Sequence, residues 1–249
     1  VGIGATALAE VIASAEALRL PIRLRALKVS RSNEFYQRHG FVETSHDELD
    51  VFYQRDYLSP YLAVTDVIDW DQPEITALAS ELREEEIQET AKACFEWVRD
   101  AVDHSGDLGL AGNSCTASEV LRSKNGWCFA KSHLLAALLR ANGIAAGFCY
   151  QRLRMDGGGQ FTLHGLNAIY LPRHGWYRVD ARGNKSGVDA RFTPPVEQLA
   201  WPVENDGERD FLEIFTDPLE DVRSWLMSNA SHAQAVSTLP DLKFLSVEG

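Results

Sequence analysis

A thiol, an imidazole and a carboxylate stand at Cys128, His164 and Asp180, each at the edge of a segment whose pattern predicts regular structure. Brought into one site, these groups would perform acyl transfer. The sulfur attacks a carbonyl carbon, the imidazole moves the proton, and the carboxylate orients the ring and supports its charged form. The elements needed to position them can be read on either side. Cys128 opens an apolar run to about residue 142, where Leu134, Leu135, Leu138 and Leu139 predict a central helix and Gly143 supplies its left-handed cap. The first turn of a helix has amide groups without internal acceptors and the positive end of the dipole, both of which favour negative charge. The backbone N–H of Cys128 is itself a candidate oxyanion donor. Three strands are expected next, over residues 145–153, 163–171 and 176–182. The glycine run after Asp156 and the turn at residues 172–175 make antiparallel pairing the economical arrangement. With that turn centred near residues 173 and 174, position 164 faces a residue within a few places of 182, and Asp180 comes within reach of the ring.

Each group also has a plainer reading. A cysteine in an apolar helix is more often inert packing, a histidine on a strand is usually half-buried, and Asp180 could organise a turn or pair with Arg182. Spacing alone leaves the two readings level. Among the other thiols, Cys94 lies mid-helix beside Phe95 and Trp97, Cys149 lies in an apolar strand, and Cys115 precedes a short helix capped by Thr116 without an identifying companion. His133, on the Cys128 helix, is expected to pack or cap. His174 sits in a turn that would carry it away from the cleft, so chelation with His164 and Cys128 is disfavoured, and neither a metal nor an organic cofactor is needed.

Three stretches carry a resemblance. Gly126-Trp127-Cys128-Phe129-Ala130, with the leucine-rich helix and Gly143-Ile144 after it, resembles the nucleophile helix and following strand of the transglutaminase-like superfamily. His164-Gly165-Leu166-Asn167-Ala168-Ile169-Tyr170-Leu171 looks like that family's H-A-W-x-E-V-Y-L strand, and Gly175-Trp176-Tyr177-Arg178-Val179-Asp180 is similar to its G-W-x-x-V-D-x-T strand. The likeness spans roughly residues 85–195. It implies an α+β, papain-like or transglutaminase-like core in which a nucleophile helix packs on an antiparallel sheet. It also implies Cys128 as nucleophile, His164 as base and acid, and Asp180 as orienter. Ala146-Gly147, Leu166 and Arg182 depart from the family pattern; they leave the three groups intact but alter the cleft. Proteases, crosslinking acyl transferases, glycopeptide amidases and inactive members all occur in the family.

The opening residues carry another. Gly2-Ile3-Gly4, Leu24 to Val29, and Asn33-Glu34-Phe35-Tyr36 through Gly40-Phe41 look like the C-terminal half of a GNAT-type N-acetyltransferase. That likeness implies Gly2 and Gly4 at an acyl-CoA pyrophosphate turn, where a helix N-terminus would favour the anion, with Asn33 on the cofactor side and Tyr36 as general acid. The family's earlier strands are not in the sequence, so acetyl transfer would require a longer fusion protein. In the residues themselves, a helix over 5–18 with Ala7, Leu8, Val11, Ile12, Ala15 and Leu18 inward, a strand over 22–29, a short helix capped by Asn33, and strands over 41–43 and 49–53 are predicted.

The expected organisation is thus a partial acetyltransferase-like α/β unit over 1–58 and a transglutaminase-like domain over 59–249. Further helices are expected over 75–82, over 85–102 with Ile87, Ala91, Phe95, Val98 and Val102 on one side, and over 219–227, followed by a surface tail. A formal net charge of −12 argues against nucleic acid and anionic membrane. Four cysteines without metal or disulfide spacing point to a cytosolic protein, and exposed strand edges in the first unit would favour self-association into a homo-oligomer. The leading functional expectation is hydrolysis of a peptide or protein amide. N-acetyltransferase activity of a longer fusion and a noncatalytic peptide-binding module are the alternatives.

Overall fold

Alternating polar and apolar residues shape the first of two compact units, Val1–Pro60 and Tyr61–Gly249; the computed structural model describes residues 3–18, 20–155 and 159–243. In the first unit, helix α1 (Ile3–Ala17) leads to β1 (Ile22–Leu27), α2 (Ser32–Arg38), β2 (Val42–His46) and β3 (Asp50–Arg55). The strands form an antiparallel sheet in the order β1-β3-β2. Ala26, Phe41, Val51 and Tyr53 are its buried core, and Leu8 and Ile12 pack against them. The inward stripe expected on α1 is only partly realised: Ala7, Val11 and Leu18 are exposed, because so small a core covers little of the helix. The cap position of α2 belongs to Arg31, not Asn33. Asn33 sits inside the first turn and reaches back, its Nδ2 donating to the carbonyls of Leu27, Lys28 and Ser30 at 2.8, 3.1 and 2.9 Å.

The second unit begins with α3 (Pro73–Glu81) and α4 (Ile87–Ala101), followed by β4 (Asp103–His104), α5 (Ala117–Ser123), β5 (Asn125–Gly126) and α6 (Cys128–Ala141). On α4 the buried residues are Thr90, Ala91, Cys94, Phe95 and Val98. Ile87, expected inward, is 49% exposed because it opens the helix before the packed turns begin. Thr116 caps α5 in a reciprocal capping box with Glu119, as the sequence suggests. A pairing of two residues on each side joins distant stretches: β4 runs parallel to β5, with Asp103 opposite Asn125 and His104 opposite Gly126. Every residue of α6 from Cys128 to Arg140 is buried, which makes it the helix around which the unit packs.

β6 (Ala146–Arg154), β7 (Phe161–Leu171), β8 (Gly175–Val179) and β9 (Arg209–Asp210) form an antiparallel sheet in the order β8-β7-β6-β9. Pairing of β7 with β8 runs from Leu171 opposite Gly175 to Asn167 opposite Val179. The chain then parts from β7, so that Asp180 lies just past the end of its strand. Helices α7 (Glu220–Ser228) and α8 (His232–Ser237) complete the unit. Residues 239–241, expected to belong to a surface tail, return to the sheet: the Leu163 N–H donates to the Pro240 carbonyl at 2.7 Å, and Asp241 pairs with Arg152. No helix among the described residues is long and apolar enough to cross a membrane.

Candidate active site

Two glycines let α6 press close to its neighbours and so determine where the cysteine comes to lie. A Cβ on Gly165 would sit 2.5 Å from Phe129 Cδ1. The residue after the histidine must therefore be glycine for the residue after the cysteine to pack against β7. Just ahead of α6, a Cβ on Gly126 would come within 3.0 Å of Ala130 Cβ. Trp127 caps the helix and is anchored by its Nε1, which donates to the Ala111 carbonyl at 2.7 Å. The thiol, 7% exposed, and His164, 4% exposed, consequently line one cavity of about 490 Å³.

Asp180 stands behind the imidazole and has no exposure at all. Its Oδ2 is 2.7 Å from His164 Nε2 and accepts the Ala200 N–H at 3.0 Å, while Oδ1 accepts the Arg182 N–H at 3.1 Å. With Nε2 engaged, Nδ1 is the ring nitrogen left for the thiol. Burial by itself would lower the His164 pKa. The charge of Asp180, then that of Cys128, and hydrogen bonding to both side chains reverse this and hold it up at about 10. Burial likewise pushes the Asp180 carboxyl upward, but the charge and hydrogen bond of His164 and the two backbone donors keep it below its ordinary value. Folding thus pairs His164 with Asp180 and lines one cavity with both Cys128 and His164.

Sequence reasoning missed the residues around this set. The Trp201 ring stands edge-on to His164, with centroids 4.9 Å apart and planes at 89°. The Arg182 guanidinium lies over that indole at 5.2 Å and grips Asp107 through both terminal nitrogens at 2.6 and 2.7 Å. Lys185 binds the same carboxylate at 2.7 Å. Against the upward push of burial, these two cations hold Asp107 well below the usual carboxylate range. Lys131, one turn beyond Cys128, is buried and donates to the carbonyls of Val102 and Arg99. Burial lowers its pKa to about 8. The departure of Arg182 from the family pattern was the one sequence signal available for this layer.

The remaining candidates lie elsewhere. Burial pushes the Cys94 and Cys149 thiols up to about 12 and Cys115 up to about 11. His174 is exposed in the β7–β8 turn. Of the acetyltransferase-like positions, Gly2 lies outside the described residues and Gly4 is in the first turn of α1. Tyr36 packs among Phe35, Phe41 and Tyr53, and the Asn33 amide is engaged within its own unit, its Oδ1 accepting from the Tyr53 hydroxyl at 3.1 Å. Among the described residues no cluster of three His, Cys, Asp or Glu side chains could hold a metal ion.

Compared with known families, residues 76–181 match the profile of the Transglutaminase-like superfamily. This stretch is a transglutaminase-like domain. The superfamily includes enzymes. Similar solved structures include a presumed cysteine protease from Cytophaga hutchinsonii, at 15% identity and a TM-score of 0.42, over 65% of this chain and 64% of that one. The periplasmic domain of TgpA from Pseudomonas aeruginosa is similar at 18% identity and a TM-score of 0.38, over 53% of each chain. A TGase is similar at 16% identity and a TM-score of 0.34, over 67% of this chain and 52% of that one. This chain therefore spans between 52% and 64% of the length of these structures. No curated protein matches it.

Two expectations change. The transglutaminase-like match lends no support to the acetyltransferase likeness of residues 1–58, which lie wholly before it. The cytosolic assignment is withdrawn, since a similar structure is a periplasmic domain. The physical reason lies in the thiols: all four cysteines are free and buried, and a buried free thiol does not report the redox state of a compartment.

Proposed function

We propose that the transglutaminase-like domain is a cysteine-dependent amide or peptide hydrolase working through an acyl-thioester. One observation carries the reading: a sealed carboxylate holds His164 by Nε2 at 2.7 Å, in a cavity shared with a thiol at the start of a buried helix. In this mechanism the Cys128 sulfur attacks the carbonyl carbon of the substrate. The carbonyl electron pair moves onto oxygen, and the Cys128 backbone N–H donates a hydrogen bond to the oxyanion that develops there. As the tetrahedral centre collapses, the C–N bond breaks and protonated His164 delivers its proton to the departing amine. Water then attacks the thioester with His164 as base, releasing the acid and restoring the thiol–imidazole pair. Asp180 stays ionised throughout and stabilises the imidazolium.

Several features of the cavity fit an amide-bearing peptide. Leu153, Leu163 and Leu239 offer it apolar surface, and Trp201 shields His164 from solvent. Iodoacetamide labelling followed by peptide mapping, on wild type and C128A, tests the proposal together with a panel of peptide and glutamine substrates. A single fast adduct on Cys128, and substrate turnover lost in C128A, are expected. A Cys128 that reacts no faster than Cys94, Cys115 and Cys149 would instead favour a noncatalytic peptide-binding cleft.

A further inference from the structure

A second imidazole faces the same cavity, and its place is set by a strand pairing that local sequence pattern does not reveal. His104 lies opposite Gly126 in the parallel β4–β5 pair, and the Ser105 N–H donates to the Gly126 carbonyl at 3.0 Å. Gly126 comes two residues before Cys128, so this register holds His104 beside the first turn of α6. The ring stands edge-on to Trp127, with centroids 5.4 Å apart and planes at 78°. A Cβ on Gly106 would come within 2.7 Å of that indole and 3.0 Å of His104 Cε1, so the glycine allows the loop to close over both rings. His104 lines the cavity with Cys128 and His164, yet only 10% of its side chain is exposed. Nδ1 is sealed without a hydrogen-bond partner, 3.8 Å from Asp107 Oδ1. With Nδ1 sealed and Cε1 against Gly106, the edge the ring offers to the cavity is the one carrying Nε2.

The charges around the ring determine what that edge does. Burial disfavours the imidazolium most, Arg182 next, and Lys131 and His164 add to them, while Asp107 alone opposes; the pKa falls to about 3. The ring is therefore neutral and carries one proton. On the Nδ1 side, both Asp107 oxygens are taken up by Arg182 and Lys185, and at 3.8 Å the carboxylate is too far to accept a hydrogen bond from the sealed Nδ1, so an N–H there would be left without an acceptor. The proton then belongs on Nε2, directed at the cavity. A neutral imidazole N–H suits an oxyanion well: it donates a hydrogen bond without giving up its proton and adds no second positive charge beside His164.

We propose that His104 is the second oxyanion donor of this site, its Nε2–H hydrogen-bonding the substrate carbonyl oxygen as Cys128 attacks, alongside the Cys128 backbone N–H. The assignment rests on the acyl-transfer reading above. No bond to hydrogen is broken in this role; the donor only strengthens its hydrogen bond as the carbonyl electron pair moves onto oxygen.

Two reagents separate the donor role from the others. p-Nitrophenyl acetate acylates a thiol through an oxyanion and its leaving group needs no proton, whereas iodoacetamide alkylates the same sulfur by displacement at a saturated carbon, with no oxyanion. In H104F the p-nitrophenolate burst should slow by about 10²-fold, while the rate of Cys128 alkylation stays within about twofold of wild type. H104Q, which restores an N–H donor, should recover most of the burst rate. Equal burst rates in H104F and wild type would overturn the proposal. So would a parallel loss of alkylation in both variants, which would mean that His104 supports the thiol or the fold. A wild-type protein that gives no burst from Cys128 at all would sink the hydrolase reading along with this one, an outcome distinct from a variant-specific failure.

Discussion

At two places in the second unit a cysteine and a histidine come close, and burial acts on both. His133 Nδ1 hydrogen-bonds the backbone carbonyl of Cys115 at 2.7 Å, and burial lowers the ring's pKa to about 4 while the Cys115 thiol is pushed up to about 11. His164 is as deeply enclosed, yet the charges of Asp180 and then Cys128 overcome burial and hold it at about 10. The two rings differ in what stands behind them. His133 meets a neutral carbonyl, which needs only a donor, whereas His164 meets a carboxylate whose charge it supports in turn and which two backbone N–H groups also bind. Burial alone makes an imidazole neutral and inert; burial beside a supported anion makes it a proton carrier.

The largest effects should fall on catalysis. Cys128→Ala is expected to lower amide turnover by at least about 10⁴-fold, with Cys115→Ala within about twofold of wild type in the same assay. Equal losses would erase the distinction between the two neighbourhoods. Asp180→Asn should lower kcat by roughly 10³- to 10⁴-fold, because the ring loses its orienting anion.

Stability offers a finer test. Asp180→Ala leaves a buried imidazole without its counter-charge and should cost about 3–5 kcal/mol in urea denaturation. His133→Gln should cost less, about 1–3 kcal/mol, the scale of a buried polar group left imperfectly paired. The same contrast has a pH signature. His164 binds its proton more tightly when folded, so its contribution is complete below about pH 6.5 and vanishes as pH climbs through about 10. His133 resists protonation when folded, so its contribution is complete above about pH 6.5 and is lost as pH falls toward about 4. Melting temperatures across this range should show the alkaline loss flattened in Asp180→Asn. In His133→Phe the acid loss should be reduced, with His104 still adding its own. The smallest effect belongs to Thr116→Ala, which removes the cap of α5 beside Cys115 and should cost about 1 kcal/mol, with alkylation of Cys128 unchanged.

Much of the scaffold could be read along the chain. The apolar run after Cys128, the left-handed Gly143 (φ 73°) that ends it, the capping pair Thr116 and Glu119, and the turn spacing of β6 to β8 are all encoded within a few neighbouring residues. Other features were not legible. Two-residue strands such as β4 and β5 have too little length to show a period. The stripe on α1 was overdrawn because periodicity records which face is apolar but not how much core is available to cover it. Trp201 and Asp107 carry no motif, and their roles exist only through Arg182 and His164.

By itself, the sequence determined the helices, the strands and their turns, since backbone propensity, apolar period and capping act over short range. It also determined that a thiol, an imidazole and a carboxylate would stand within or beside such elements. Only the tertiary structure decided which charge meets which ring. A pKa depends on burial and on distances of a few ångströms between residues far apart in sequence, and those distances come into being when α6 packs against the sheet.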